Sequence, residues 1–146
     1  MTIRDKRQRE FADTWLKHGK FGVLNLCPRF GKIRTSIHAL TKLKPESILI
    51  AYPDNKIKES WQADFEELGF DDSIVTYTTH LSLKKLADQS FDVVIIDEIH
   101  LLSEAQIEVC KEMFTHEKKV LGLTGTLATS TRITLEDHLA LYGKAE

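Results

Sequence analysis

Short, almost wholly apolar runs recur along this chain, each followed by a stretch of helical periodicity. Val93-Val94-Ile95-Ile96 places four β-branched residues in a row, and Ser47-Ile48-Leu49-Ile50-Ala51-Tyr52 and Val120-Leu121-Gly122-Leu123 are nearly as apolar. A strand without a polar face must be covered on both sides, which favours a parallel sheet sandwiched between helices. Sheets of that kind place ligands at the carboxyl ends of their strands. The spacing predicts a helix over residues 5–18 through Phe11, Thr14, Trp15 and His18, followed by Gly19 and Gly22, and then a strand Val23–Leu26. A helix follows Gly31, a second strand Ser47–Tyr52 ends at Pro53, and Asn55–Leu68 is amphipathic through Ile57, Trp61, Phe65 and Leu68. Ile74–Tyr77 reads as a third strand, Leu81–Ala87 as a short helix, Phe91–Ile96 as the fourth strand, Ser103–Phe114 as a helix and Val120–Leu123 as the fifth strand. The expected fold class is α/β, a three-layer sandwich around a mostly parallel five-stranded sheet.

A length of 146 residues suits one ordinary domain with a full core, and no repeat, low-complexity tract or Pro/Gly-rich linker marks a second, so residues 1–146 read as one unit. No apolar run approaches the ~20 residues that cross a bilayer, and the start Met1-Thr2-Ile3-Arg4-Asp5-Lys6 is charged where a signal peptide turns apolar, so a soluble, cytoplasmic protein without a membrane partner is expected. Cys27 and Cys110 are too few and too far apart for a metal cluster or a disulfide framework, and both are expected reduced. The net charge is −2 but lopsided: residues 1–44 hold 11 Lys/Arg against 3 Asp/Glu, a net +8, and the remainder holds 9 against 19, a net −10. A basic segment invites a polyanion, a nucleotide or a nucleic-acid backbone, although the tract Arg4–Arg9 also fits a helix with a solvated charged face.

Three runs at strand ends carry chemistry. Cys27-Pro28-Arg29-Phe30-Gly31-Lys32 leads from the first strand into a helix. Backbone N–H groups at such a helix start can converge on phosphate oxygens, Gly31 lets the backbone come close, and Lys32 can reach the terminal phosphates. The run departs from the full phosphate-loop pattern, because Leu26 stands at the first glycine position and Ile33 follows the lysine without a hydroxyl for Mg²⁺. Taken alone, Gly31-Lys32 could equally be an ordinary helix start with an exposed lysine. The second run, Asp97-Glu98-Ile99-His100, follows the four β-branched residues of the fourth strand, where charge is costly unless it meets a cation or faces a cleft. Asp97 could hold Mg²⁺ through water and Glu98 could orient and deprotonate an attacking water. The plain alternative is a solvated pair just past a strand end, with His100 a loop histidine. The third run, Leu123-Thr124-Gly125-Thr126, puts two hydroxyls at the same edge.

In this order the three runs resemble the first RecA-like motor domain of superfamily-2 helicases and DNA translocases, over nearly the whole chain. Arg29-Phe30-Gly31-Lys32 is similar to their phosphate-binding motif, Asp97-Glu98-Ile99-His100 to the DEAD/DEAH-type motif and Thr124-Gly125-Thr126 to the coupling motif. The resemblance implies a RecA-like P-loop fold, ATP and Mg²⁺ as cofactors, and a nucleotide site drawn from Pro28, Arg29, Phe30, Gly31, Lys32, Ile33 and Arg34. Asp97 would be the metal residue, and Lys32, Asp97, Glu98 and His100 the catalytic set. Arg4 and Gln8 resemble the adenine-reading element, where an amide offers both donor and acceptor to the base edge. Nucleic acid, DNA rather than RNA, would lie on a separate face and be held by phosphate contacts at Pro53, Asn55, Lys56, Thr78 and Thr79. Those residues also have plain uses, Asn55 as a helix cap and the threonines in a turn. Trp61 and Phe65, four residues apart, read as core.

The departures define the alternatives. Ile33 stands where the family has a hydroxyl residue, Arg29 where glycine is usual and Leu127 where proline is common. Thr35 does not replace the missing hydroxyl, since two residues along a helix point in different directions. Motors of this family hydrolyse ATP between two RecA-like domains, and an arginine in trans can contribute ~10³–10⁵ in rate, so this chain is expected to be nearly inactive alone. The resemblance implies the ATP- and nucleic-acid-binding half of a helicase or translocase that needs a second RecA-like domain, in cis or in trans. The competing expectation is a helicase-derived binding or regulatory module without hydrolysis. A small P-loop kinase or phosphatase fits the fold but leaves Thr124-Gly125-Thr126 unexplained.

Overall fold

The computed structural model describes residues 2–17, 19–26, 30–116, 119–125 and 140–145, so the expectations placed on His18, Cys27, Pro28, Arg29, Thr126 and Leu127 lie outside the described residues. Four α-helices and six strands build the described fold. They run α1 (Ile3–Lys17), β1 (Phe21–Leu26), α2 (Lys32–Leu43), β2 (Ile48–Tyr52), α3 (Asn55–Glu67), β3 (Val75–Thr79), β4 (Val93–Ile96), α4 (Glu104–His116), β5 (Val120–Thr124) and β6 (Ala140–Ala145). Short 3-10 turns cover Asp72–Ile74, Leu83–Leu86 and Ile99–Leu101. The strand order is β3-β2-β4-β5-β1-β6, and every pair is parallel.

Apolar residues on both faces of the strands explain the layering. Ile48, Ile50 and Tyr52 pack with Leu24, Leu26, Val93, Ile95, Leu121 and Leu123 beneath α1, α2 and α3, where Trp15, Leu40, Trp61 and Phe65 are buried. The alternate residues Leu49, Ala51, Val94, Ile96, Val23 and Val120 face the other way, toward Ile107, Cys110 and Met113 of α4. Period-2 alternation within an all-apolar run thus feeds two cores at once. Burial pushes the Cys110 thiol up to about 12, so it behaves as an inert apolar group. Among the described residues no helix is long and apolar enough to cross a membrane.

All five expected strands form, with shifts that sheet pairing explains. β1 starts at Phe21, before the expected Val23, since Phe21 and Gly22 already pair with Val120 and Leu121. β3 runs on to Thr79 because each of its residues has a partner in β2, from Ile48 opposite Val75 to Tyr52 opposite Thr79. The short helix expected over Leu81–Ala87 is a 3-10 turn over Leu83–Leu86. A sixth strand, β6, pairs with β1 on the side away from β5. Asp54 rather than Asn55 caps α3, its carboxylate accepting from Lys56 N at 2.9 Å and Ile57 N at 3.3 Å. The Trp15 indole donates to the carbonyl of Val120 at 2.9 Å and ties α1 to β5.

Candidate functional site

The order β4-β5-β1 sets the ends of three strands side by side, with β5 in the middle. The runs that leave those ends therefore meet. From the β1 side, Gly31 takes φ 91° and ψ 55° and opens α2 without a side-chain cap. The first-turn N–H groups of α2 have no carbonyl of their own helix to bond, and they carry the positive end of its dipole. From the β4 side, Glu98 takes a left-handed conformation, φ 53° and ψ 48°, which is uncommon for a residue with a side chain and turns the chain sharply into Ile99–Leu101. Gly122 makes room for that turn: a Cβ there would stand 2.9 Å from Ile99 Cδ1 and 3.0 Å from Val23 Cγ2.

Lys32 bridges the two sides. Its ammonium lies 3.3 Å from Asp97 Oδ1 and forms an ion pair with Glu98 Oε1. Asp97 is fully buried. Its Oδ2 accepts from the Trp61 indole at 2.9 Å, its carbonyl from His80 Nε2 at 2.8 Å, and its N–H donates to Ala51 O at 2.8 Å. Oδ1 alone has no hydrogen bond. His100 continues the chain toward β5: Nε2 lies 3.4 Å from Glu98 Oε2, and Nδ1 lies 2.8 Å from the Thr124 hydroxyl. Burial, and then the Lys32 charge, hold His100 below the ordinary histidine value. Of the two neutral forms of the ring, the one with its proton on Nε2 suits the carboxylate, and its Nδ1 then accepts a hydrogen bond from the Thr124 hydroxyl.

Gln8 reaches this site from α1. It is buried, its amide donates to Phe30 O at 2.8 Å, and it lies against Gly31, while its Oε1 has no partner. Phe30 is buried edge-on against Phe11. Other expected members lie elsewhere. Arg4 is exposed on α1, Ile33 packs partly on the core, and Arg34 pairs with Glu67 of α3 at 3.3 Å. The Thr35 hydroxyl is tied to Gly31 O at 2.9 Å, within its own helix. On the β2–β3 side, Asn55 and Lys56 are exposed and Pro53 is half-buried. Thr78 donates to Thr79 O at 3.2 Å, and the Thr79 hydroxyl accepts from Ser82 N at 3.2 Å, so both threonines also serve the turn.

Trp61 and His80 are the site residues that sequence reasoning misses. Helical spacing assigns Trp61 to the core, where its ring does lie, and says nothing of an acceptor 36 residues away. A buried indole N–H must find an acceptor, which is the only signal available. His80 has no signal beyond its place after Thr79.

Burial holds His38, His80 and His100 below the ordinary histidine value, for His80 in spite of its bond to Asp97. The unfolded chain takes up protons on these rings near pH 6.5 while the folded chain resists, so their contribution to stability is level above about pH 7 and falls as the pH drops through about 6.5. Each ring kept neutral contributes at most about 1.4 kcal/mol per pH unit. Urea midpoints at pH 7.5 and 5.5 measure the loss, and His80→Gln, which can still donate to Asp97 O, should flatten the profile.

The sequence model of the type III restriction enzyme res subunit matches residues 73–129. No curated protein is close enough in sequence to count as a match. The UvsW helicase of bacteriophage T4 superposes with a TM-score of 0.74 at 17% identity, over 98% of this chain and 59% of its own. The Sulfolobus solfataricus SWI2/SNF2 ATPase core, solved with double-stranded DNA, gives 0.72 at 17%, over 94% of this chain and 35% of its own. The fold is the RecA-like fold of these helicase cores. The Pyrococcus furiosus Hef helicase domain has it as well, with a TM-score of 0.69 at 15% identity, over 97% of this chain and 38% of its own. This chain therefore spans between about a third and three-fifths of the length of these three structures. In the RecA-like frame the Lys32–Asp97–Glu98 cluster lies at the carboxyl edge of the sheet, where a ligand of an open α/β sheet binds.

Proposed function

We propose that this chain is the ATP- and nucleic-acid-binding half of a superfamily-2 helicase or DNA translocase, with a second RecA-like domain required for efficient hydrolysis. One observation carries the reading: the Lys32 ammonium is held between the Asp97 and Glu98 carboxylates at the edge where α2 begins. A cation already placed between two anions beside a helix N-terminus suits a ligand that brings phosphate charge to the lysine and a divalent ion to the acids.

The residues fit Mg²⁺. Among the described residues no three acidic, histidine or cysteine side chains cluster as a metal cage, and a magnesium ion held by one carboxylate, phosphates and water needs none. Asp97 Oδ1, buried and without a hydrogen bond, is the atom such an ion's water would satisfy. When bound, Mg²⁺ offsets charge on the phosphates being separated. Lys32 leaves the carboxylates for the phosphate oxygens, which frees Glu98 to hold the attacking water and take its proton. His100, fixed by Thr124, orients Glu98 and links it to β5. The unpartnered Gln8 Oε1 suits the adenine amino group. Nucleic acid is assigned to the exposed Asn55 and Lys56 and to Pro53, Thr78 and Thr79, and the SWI2/SNF2 relative bound to double-stranded DNA favours DNA.

Calorimetric titration of ATP with and without Mg²⁺ tests the reading. Lys32→Ala removes charge-assisted hydrogen bonds and should weaken Mg–ATP binding by about 10- to 100-fold. Equal binding by both proteins, or none by either, ends it. Ile33, packed on the core, and the Thr35 hydroxyl, tied within its helix, favour a second reading, a binding or regulatory module that does not hydrolyse. Unchanged ATP turnover by Glu98→Gln, assayed with a second RecA-like domain, would select that module.

A further inference from the structure

Asp97 has four polar positions, and the fold occupies three. Its N–H is bonded to Ala51 O, its carbonyl to His80 and its Oδ2 to the Trp61 indole, which leaves Oδ1 facing Lys32. We propose that Trp61 is a positioning residue whose N–H locks Oδ2, so that the carboxylate presents Oδ1 to the Mg²⁺–nucleotide. This rests on the reading of the nucleotide site given above. A carboxylate is free to turn about its last torsion unless something holds an oxygen. Trp61 can hold it because the ring has no freedom of its own: it is fully buried on α3 and packed on Phe65 with ring centroids 5.8 Å apart. An indole is also a neutral donor. It orients the carboxylate without neutralising the charge that a cation needs, which a lysine or arginine in its place would do. Partners of this kind behind a metal-binding carboxylate typically contribute 10- to 100-fold in metal affinity.

Trp61→Phe keeps an aromatic ring against Phe65 and removes the N–H. The quantity to measure by calorimetry is the ratio of ATP affinities with Mg²⁺ and with EDTA. In the variant that ratio should fall about 10-fold, with the EDTA affinity unchanged. A role in packing alone would lower the melting temperature and leave the ratio at its wild-type value, and that result overturns the proposal. A second measurement needs no variant. The chain has 2 tryptophans, so an ¹⁵N-labelled sample gives two indole N–H resonances. Addition of Mg²⁺ to the ATP-loaded protein should move the Trp61 resonance and leave that of Trp15, bonded to Val120 O, in place. A Trp61 resonance indifferent to Mg²⁺ also overturns the proposal. If wild-type protein gains no ATP affinity from Mg²⁺, the nucleotide-site reading itself fails and the role of Trp61 falls with it.

Discussion

Trp15→Ala is expected to destabilise the chain by about 3–5 kcal/mol. The ring is fully buried in the core cluster shared by α1, α2, α3 and the strands, so truncation leaves a cavity there. The indole also donates to Val120 O, 105 residues away in sequence, so its loss removes a tie between the first helix and β5. A domain of this size has a total stability of only about 5–15 kcal/mol, so the variant should unfold at a markedly lower urea concentration, and its melting point should drop by about 10 °C. Trp15→Phe separates the two contributions. It retains most of the ring and loses the hydrogen bond, and should cost about 1–2 kcal/mol. A Trp15→Ala protein that melts with wild type would show that α1 contributes little to the folded domain.

The strands and helices of this fold are legible where one residue type serves both local propensity and burial. β4 is four β-branched residues, all fully buried, and no other element suits them. α3 is legible from Ile57, Trp61 and Phe65 on one face. Legibility fails where a partner strand decides. Thr78 and Thr79 suit a strand or a turn alike, and pairing with β2 settles both as strand. β6, with Gly143 and Lys144 in its span, has none of the apolar continuity of the central strands and owes its place to pairing with β1.

The candidate site follows the same division. Lys32, Asp97 and Glu98 stand out because charge directly after a buried strand, or a Gly-Lys at a helix start, requires an explanation, and a parallel sheet brings such ends to one edge. The geometry gathers those three with His100 and Thr124. What surrounds them is not legible. Trp61 and His80 touch Asp97 through hydrogen bonds that span 36 and 17 residues, and spacing along a chain cannot say which buried donor finds which acceptor. Arg34 shows the reverse case: a cation two residues after the phosphate-loop lysine pairs with Glu67 of α3.

Gly31→Ala should damage stability and nucleotide binding together. The residue sits at φ 91°, a conformation that a side chain tolerates poorly, at about 1–2 kcal/mol. Its new Cβ would also overlap the Gln8 amide nitrogen. An exposed glutamine would simply swing away, but Gln8 is 1% exposed and its amide donates to Phe30 O, so retreat breaks a buried hydrogen bond at a further cost of about 1–3 kcal/mol. The total is about 2–5 kcal/mol, and relief of the overlap displaces the backbone that leads into α2, where phosphate is proposed to bind. The expected result is a lower urea midpoint and a loss of Mg–ATP affinity in the same protein. A double-mutant cycle isolates the cause. Gln8→Ala removes the atom that the new methyl strikes, so Gly31→Ala made in that background should cost less than in wild type, with the backbone share of about 1–2 kcal/mol remaining. If the two losses instead add in full, Gln8 does not constrain Gly31, and the close packing of α1 over the phosphate loop is not what makes glycine necessary there.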